Sequence, residues 1–317
     1  MTVRLHPARI EAFLLGAGWA GARRAALAGD ASGRRYERLT GPRGSAILME
    51  TPLSALASAR AFVEVGERLG RAGLSPPRIL AERISDGLLL LEDLGDDLLA
   101  RVAEARPAEE PALYAAAADV LVALRDMPAD GLPLYDAAAM AQATDLAATC
   151  YAGHGDVPWI EPLRAALEAH AGPADTLILR DYHAENLVWR PERRGAARMG
   201  LLDFQDAMRG PAAYDLASLV RDARRDVSPA AARAAVGRFA ERTGTDPGAA
   251  LAVLGVQRNL RLLGIFARLA SRGRPHYLSF LPRVWGQLAT DLAHPACDAV
   301  RGPALSALHR KAHAAAR

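Results

Sequence analysis

Three short apolar runs, at 176–179, 187–189 and 199–202, interrupt a C-terminal two-thirds that otherwise reads as helix after helix. Each run is too short for a helix and is bounded by polar residues, as short buried strands are. The loops between them are dense in groups that can do chemistry. The first stretch reads Leu179-Arg180-Asp181-Tyr182-His183-Ala184-Glu185-Asn186-Leu187, and the second Leu202-Asp203-Phe204-Gln205-Asp206. Polar loops that directly abut apolar strands present reactive groups from a rigid scaffold at the edge of a cleft.

The rest of the chain frames this patch. Residues 3–28 carry Ile10, Phe13, Leu14 and Ala17 at helical spacing. Runs at 36–39 and 46–49 flank the turn residues Gly41-Pro42-Arg43-Gly44 and predict a hairpin. A helix capped by Ser54 or Ser58 reaches about residue 72. Pro76 and Pro77 stop the chain, and 78–82 with 87–91 predict a second hairpin. The first 91 residues thus predict a small α+β lobe. Beyond Glu92-Asp93-Leu94-Gly95 the pattern turns helical: 96–105, 109–127, 136–151 and 159–171 before the mixed patch, then 212–225, 228–242, 247–271, 277–294 and 302–316. The expected boundary lies near 92–96, giving an N-terminal lobe of 1–95 and a helical C-terminal lobe of 96–317.

Asp181 and Asn186 stand five apart ahead of an apolar strand, and Asp203 opens an Asp-Phe step after another. Magnesium prefers hard oxygen ligands, a carboxylate and an amide carbonyl among them, with phosphates and waters completing the shell. A second carboxylate within reach of a hydroxyl can take its proton. Either residue of the first pair alone reads better as a turn or capping residue. The combination with Asp203 and two flanking strands favours a functional site over that reading, and the pattern resembles the catalytic loop of protein-kinase-like enzymes, which transfer phosphoryl groups.

These segments resemble the aminoglycoside phosphotransferase and choline kinase superfamily, over nearly the whole chain. More narrowly, Gly29-Asp30-Ala31-Ser32-Gly33-Arg34-Arg35-Tyr36, Leu90-Leu91-Glu92-Asp93-Leu94-Gly95-Asp96, Leu202–Ala207, Tyr214-Asp215-Leu216-Ala217-Ser218-Leu219 and the stretches 257–268 and 277–284 resemble the sugar kinases of cell-wall recycling. Those enzymes act on the anomeric hydroxyl of N-acetylmuramate and N-acetylglucosamine. The resemblance implies a protein-kinase-like fold, ATP and Mg2+ as cofactors, Asp181 as the catalytic base, and Asn186 and Asp203 as metal ligands. It implies that Ser32, Arg34 and Arg35 lie in the loop over the nucleotide phosphates. Glu92 and Leu94 would offer backbone groups to adenine, and Asp215 would brace the catalytic loop through Arg180. Asp206, Arg258 and Arg261 would face the acceptor, the arginines from a polar cluster with Gln257 and Asn259 on helix 247–271.

The chain departs from the pattern in two ways. Leu179 stands where a histidine commonly precedes the catalytic aspartate, although His183 follows it. The strand at 46–50 holds Met49 where kinases carry a lysine, and the whole chain has one lysine, Lys311. A phosphate clamp must therefore use arginine or backbone N–H groups. Glu64 on the next helix reads either as the counterpart of the kinase glutamate, with Arg35 or Arg38 as its expected partner, or as a solvated helix position.

The net charge of +3 is spread along the chain without a basic run, so nucleic acid is not an expected partner. No apolar run reaches the roughly 18 residues of a membrane span. The two cysteines, Cys150 and Cys297, are far apart and read as free thiols. The expected compartment is the cytoplasm and the expected partners are ATP and a small sugar, with oligomeric state open. Acceptors of the aminoglycoside, choline or homoserine type are the alternative within this class. A catalytically silent nucleotide-binding protein is the alternative outside it, and the missing lysine is its best argument.

Overall fold

A computed structural model of the chain describes residues 7–27 and 33–308. In order these form α1 (Pro7–Gly16), β1 (Arg23–Ala26), β2 (Arg35–Gly41), β3 (Gly44–Glu50), α2 (Leu56–Arg71), β4 (Ile79–Arg83), β5 (Leu88–Glu92) and α3 (Leu99–Ala105). Then come α4 (Glu110–Arg125), α5 (Ala137–Gln142), α6 (Ile160–His170), β6 (Thr176–Ile178), β7 (Leu187–Trp189), β8 (Met199–Leu201) and β9 (Met208–Gly210). The chain continues through α7 (Tyr214–Val220), α8 (Pro229–Thr243), α9 (Gly248–Ser271), α10 (Leu281–Leu292) and α11 (Asp298–Leu308). It divides into two compact units: one comprises residues up to 99 together with 185–206, the other 100–184 with 207 onward.

The first unit is built on an antiparallel sheet of order β1-β2-β3-β5-β4. Strand alternation gives the sheet two apolar faces. Leu39, Ala46, Leu48, Leu88 and Leu90 pack with Ile10, Phe13, Leu14 and Trp19 from α1 and the turn after it. Met49, Leu89 and Leu91 point to the other side. α2 supplies the apolar stripe Ala59, Phe62, Val65 and Leu69. The expected helix over 3–28 ends at Gly16. Gly18 and Gly21 then take left-handed backbone, with φ of 75° and 73°, and Arg23–Ala26 joins the sheet as β1. Pairing with β2 thus overrides the helix preference of Ala-rich sequence. The hairpin β7–β8 belongs to this unit because Leu201 N–H donates to the Ser75 carbonyl (2.9 Å) and Trp189 N–H to that of Asp97 (2.7 Å).

The second unit is mainly helical. Fourteen of the 24 residues of α9 are buried, because α10, α6 and a π-helical stretch at Ala147–Ala152 surround it. Among the described residues α9 is the one helix long and apolar enough to cross a membrane, and its place inside a packed unit accounts for that composition. The helix expected at 136–151 breaks at a turn at 143–144, α5 stopping at Gln142 and the π-helical stretch following. Residues 275–280 form a 3-10 turn ahead of α10 rather than α-helix, and β9, unmarked by periodicity, pairs with β6.

At Gly264 that packing brings backbone against backbone. A Cβ there would overlap the backbone and Cβ of Leu146. Gly264→Ala is expected to destabilise the protein by about 1–3 kcal/mol, read as a fall in urea midpoint with the slope unchanged. Gly286→Ala on α10 is the control. A Cβ there meets open space, so helix propensity makes that change neutral or stabilising.

Candidate active site

The Asp181 loop starts where β6 ends. Leu179 and Arg180 donate their backbone N–H groups to the two carboxylate oxygens of Asp215, at 2.5 and 2.9 Å. Arg180 sits in the left-handed region, with φ of 71°. For an arginine that conformation costs roughly 1–3 kcal/mol and persists where the surroundings over-determine it. Here they do: Asp215 holds the N–H side, and the Arg258 guanidinium reaches the Arg180 carbonyl at 3.4 Å. The Arg180 guanidinium lies over the Tyr135 ring, 5.0 Å from its centroid. Tyr182 is buried and donates its hydroxyl to the Ala117 carbonyl at 2.7 Å. Between these anchors Asp181 stays half-exposed, as a group that must meet a substrate needs to be.

Asp215 therefore braces the loop, but through two backbone N–H groups and not through the Arg180 side chain. It lies in the first turn of α7, whose N-cap is Ala213. Burial raises its carboxyl to about 6; the two N–H donors and Arg258 pull it down, and the Asp181 charge pushes it up. His183 is also buried. Burial first, then Arg224 and Arg258, holds its pKa well below the usual value, so the imidazole is neutral there.

The second loop pair lies in the first unit. Asn186 closes a 3-10 turn, Ala184–Asn186, and its carbonyl accepts from Leu202 N–H at 2.9 Å. That bond joins Asn186 to the residue just before Asp203. Asp203 is the other non-glycine residue with left-handed backbone among those described, with φ of 56°. Its carboxylate accepts from Gln205 Nε2 at 2.8 Å and lies 3.6 Å from Arg34 Nη1. Phe204 fixes the turn: fully buried, it stacks on Phe62 of α2 with centroids 4.6 Å apart. Gly66 on the same helix leaves room for that ring, since a Cβ there would stand 3.3 Å from it.

Several expected site residues are spent elsewhere. Glu64 is exposed and pairs with Arg68 one turn along α2, at 2.9 Å. Neither expected partner meets it: Arg38 binds Asp93 and Asp96, and Arg35, half in solvent, lies 4.0 Å from Glu50. Arg258 is buried, 4% exposed, with its guanidinium on the loop backbone. On the apolar helix α9 this arginine braces the catalytic loop. Gln257 donates to the Tyr135 hydroxyl and the Met140 carbonyl, and Asn259 to Asp291. Arg261 is half-buried and acts on the Tyr135 phenol, whose pKa burial pushes up to about 12. Asp206 is exposed, 3.5 Å from Gln205 Nε2. The Glu92 carboxylate takes Arg78 and Arg190. Leu94 packs over Gly200, where a Cβ would stand 3.0 Å from Leu94 Cδ1. Ser32 and the preceding 29–31 lie outside the described residues. Gln205 and Tyr135 carry direct contacts in these loops that spacing did not single out.

The comparisons with known proteins identify the family and the fold. Residues 24–251 match the phosphotransferase enzyme family. An N-acetylmuramate/N-acetylglucosamine kinase of Caulobacter vibrioides is 41% identical, over 90% of this chain and 92% of its own. The Pseudomonas aeruginosa protein of the same name is 33% identical, over 90% and 88%. Among solved structures, the ADP-bound aminoglycoside phosphotransferase APH(2'')-Ib superposes with a TM-score of 0.64 at 14% identity, covering 92% of this chain and all of that one. A choline kinase from Streptococcus pneumoniae gives 0.62 at 13%, covering 89% and 98%. At such identities the structures speak for the fold alone, which is the α+β, protein-kinase-like one. The family match spans well over half of the sequence and the relatives are similar almost end to end: this chain belongs to the phosphotransferase enzyme family.

Proposed function

We propose that the protein is an ATP-dependent sugar kinase that phosphorylates the anomeric hydroxyl of N-acetylmuramate or N-acetylglucosamine. The reaction would serve cell-wall recycling in the cytoplasm. The observation that carries the substrate is the 41% identity, over nine-tenths of both chains, to a kinase named for those two sugars. In this reading the acceptor oxygen attacks the γ-phosphorus, the bond to the β–γ bridging oxygen breaks, and ADP leaves. Asp181 orients the hydroxyl and accepts its proton. Its loop is held by Asp215 and Arg258, so the carboxylate is positioned before substrate arrives.

Asn186 and Asp203 fit magnesium in donor chemistry. One amide oxygen and one carboxylate, joined through the Leu202–Asn186 hydrogen bond, leave most of the shell to phosphates and water, as magnesium favours. Among the described residues no group of three or more His, Cys, Asp or Glu could form an all-protein cage. When bound, the metal would neutralise charge on the phosphates. Gln205 holds the Asp203 carboxylate in its orientation. Nucleotide binding is assigned to the 1–95 segment, the Glu92 carbonyl and Leu94 N–H meeting adenine, with Asp206, Arg258 and Arg261 as the acceptor contacts within 96–317.

The test is ADP release in a coupled assay across N-acetylmuramate, N-acetylglucosamine, aminoglycosides and choline, with the product position fixed by phosphorus NMR. Stimulation by the two amino sugars, with phosphate on the anomeric oxygen, is expected. Stimulation by aminoglycosides or choline alone overturns the substrate, and magnesium-independent or absent ATP turnover overturns the kinase.

A further inference from the structure

The structure points to an answer for the missing lysine, and the inference rests on the kinase reading above. β2 and β3 pair with Tyr36 opposite Met49 and Arg35 opposite Glu50. Leu39, Ala46 and Leu48 lie on the α1 side of the sheet, so Tyr36 and Met49 face the α2 side. Extending the register one step places Arg34 opposite Thr51 on that same face. Arg34 is thus a diagonal neighbour of the position where a kinase strand carries its lysine, and it projects the same way. Its guanidinium confirms the direction, since Nη2 donates to the hydroxyl of Ser58 on α2 at 2.5 Å.

Arg34 also reaches the chemistry. Its side chain is 2% exposed, and Nη1 stands 3.6 Å from Asp203, the proposed metal ligand. Long cationic side chains are almost never buried this deeply unless a charge partner is present. Arg34 gathers the two connections a kinase divides between lysine and its helix glutamate, one to the metal-binding loop and one to the helix across the sheet. Here the helix end of the connection is the neutral hydroxyl of Ser58 in place of a carboxylate. Glu64, exposed and paired with Arg68, leaves that role vacant.

We propose that Arg34 is the phosphate-binding cation of this enzyme, taking the office of the strand lysine from the head of β2, with Ser58 as the residue that positions it. Met49, whose side chain is wholly buried, is then a core residue and not a lost catalytic one. The guanidinium offers two parallel N–H groups where an ammonium offers a point charge, which suits a bidentate grip on a polyphosphate. The recognised chemistry is the β- and γ-phosphates; adenosine itself makes no use of it.

Calorimetric titration of the full chain with ATP, ADP and adenosine, with EDTA and again with magnesium, separates this from catalysis. Arg34→Met keeps the volume and removes the charge. It is expected to weaken ATP and ADP at least about 10-fold, while adenosine binds within about twofold of wild type. Arg34→Lys is expected to recover most of that loss. Ser58→Ala, a half-buried helix position where alanine is well tolerated, keeps the charge but frees the arginine; an ATP loss of about threefold with adenosine unchanged is expected. Should Arg34→Met not fold, the Ser58→Ala and Arg34→Lys titrations decide alone. ATP binding within twofold of wild type in folded Arg34→Met, or in its absence an unchanged ATP-to-adenosine ratio in both other variants, overturns the proposal. Because these titrations need no acceptor, they are independent of the sugar; failure of wild type to bind ATP would instead sink the kinase reading.

Discussion

Asp181→Asn is expected to lower sugar-dependent turnover by about 10^3-fold while leaving ATP affinity within about twofold. A positioned general base contributes on the order of 10^2- to 10^4-fold, and the carboxamide keeps the shape and loses the basic oxygen. The side chain is half-exposed and its loop is anchored through Leu179, Arg180 and Tyr182, so the variant keeps those anchors while it loses the basic oxygen. The measurement is kcat by coupled ADP release, with ATP titrated calorimetrically into the same preparation. A variant that keeps a tenth of wild-type turnover would show that the acceptor proton leaves by another route. The result also separates an enzyme from a silent nucleotide binder, since a silent protein has no sugar-dependent rate to lose.

What sequence reveals here follows from the kind of physics involved. Asp181, Asn186 and Asp203 are legible because chemistry restricts residue type, and because polar residues abutting apolar strands break the periodicity around them. The sheet of the first unit is legible from Gly41-Pro42-Arg43-Gly44 and the apolar runs beside it. The strand Arg23–Ala26 was not, since Arg-Arg-Ala-Ala carries no strand signature and is recruited by its pairing with β2. Long-range partners are harder still. Nothing in Gln-Arg-Asn at 257–259 distinguishes a substrate-facing cluster from one buried against Tyr135, the Arg180 carbonyl and Asp291. The left-handed backbone at Arg180 and Asp203 is likewise invisible. Arg180 is held there by Asp215 and Arg258, far along the chain, and Asp203 lies beside Arg34 as well as its neighbour Gln205; only glycine advertises positive φ in advance. The lone lysine, by contrast, was a compositional fact with a structural consequence: the cation had to be arginine, though which arginine required the register of β2 against β3.

Asp215 should make stability and activity run in opposite directions with pH. Its carboxyl sits at about 6 in the folded protein against an ordinary 3.8, burial outweighing the two N–H donors and Arg258. Between those values the folded chain holds a proton the unfolded chain has lost, so stability falls as pH rises through that window and levels off above about 6. For one fully buried group the change is on the order of 3 kcal/mol. Activity depends on the opposite form. Only the ionised carboxylate offers an acceptor to both Leu179 and Arg180; once protonated, one oxygen becomes a donor facing an N–H, and the left-handed turn before Asp181 loses a support. Turnover should therefore fall on the acid side with a midpoint near pH 6. Asp215→Asn isolates the effect, because its carboxamide presents one acceptor and one donor at every pH. The wild-type-minus-variant difference in urea stability should slope downward from pH 4 to 6, and turnover of the variant should be reduced about 10^2-fold with the limb near 6 gone. Asp181 raises the Asp215 carboxyl, so Asp181→Asn should move the wild-type stability transition to lower pH. An acid limb that survives unchanged in Asp215→Asn would assign it to another group and leave Asp215 a scaffold residue without a part in the pH response.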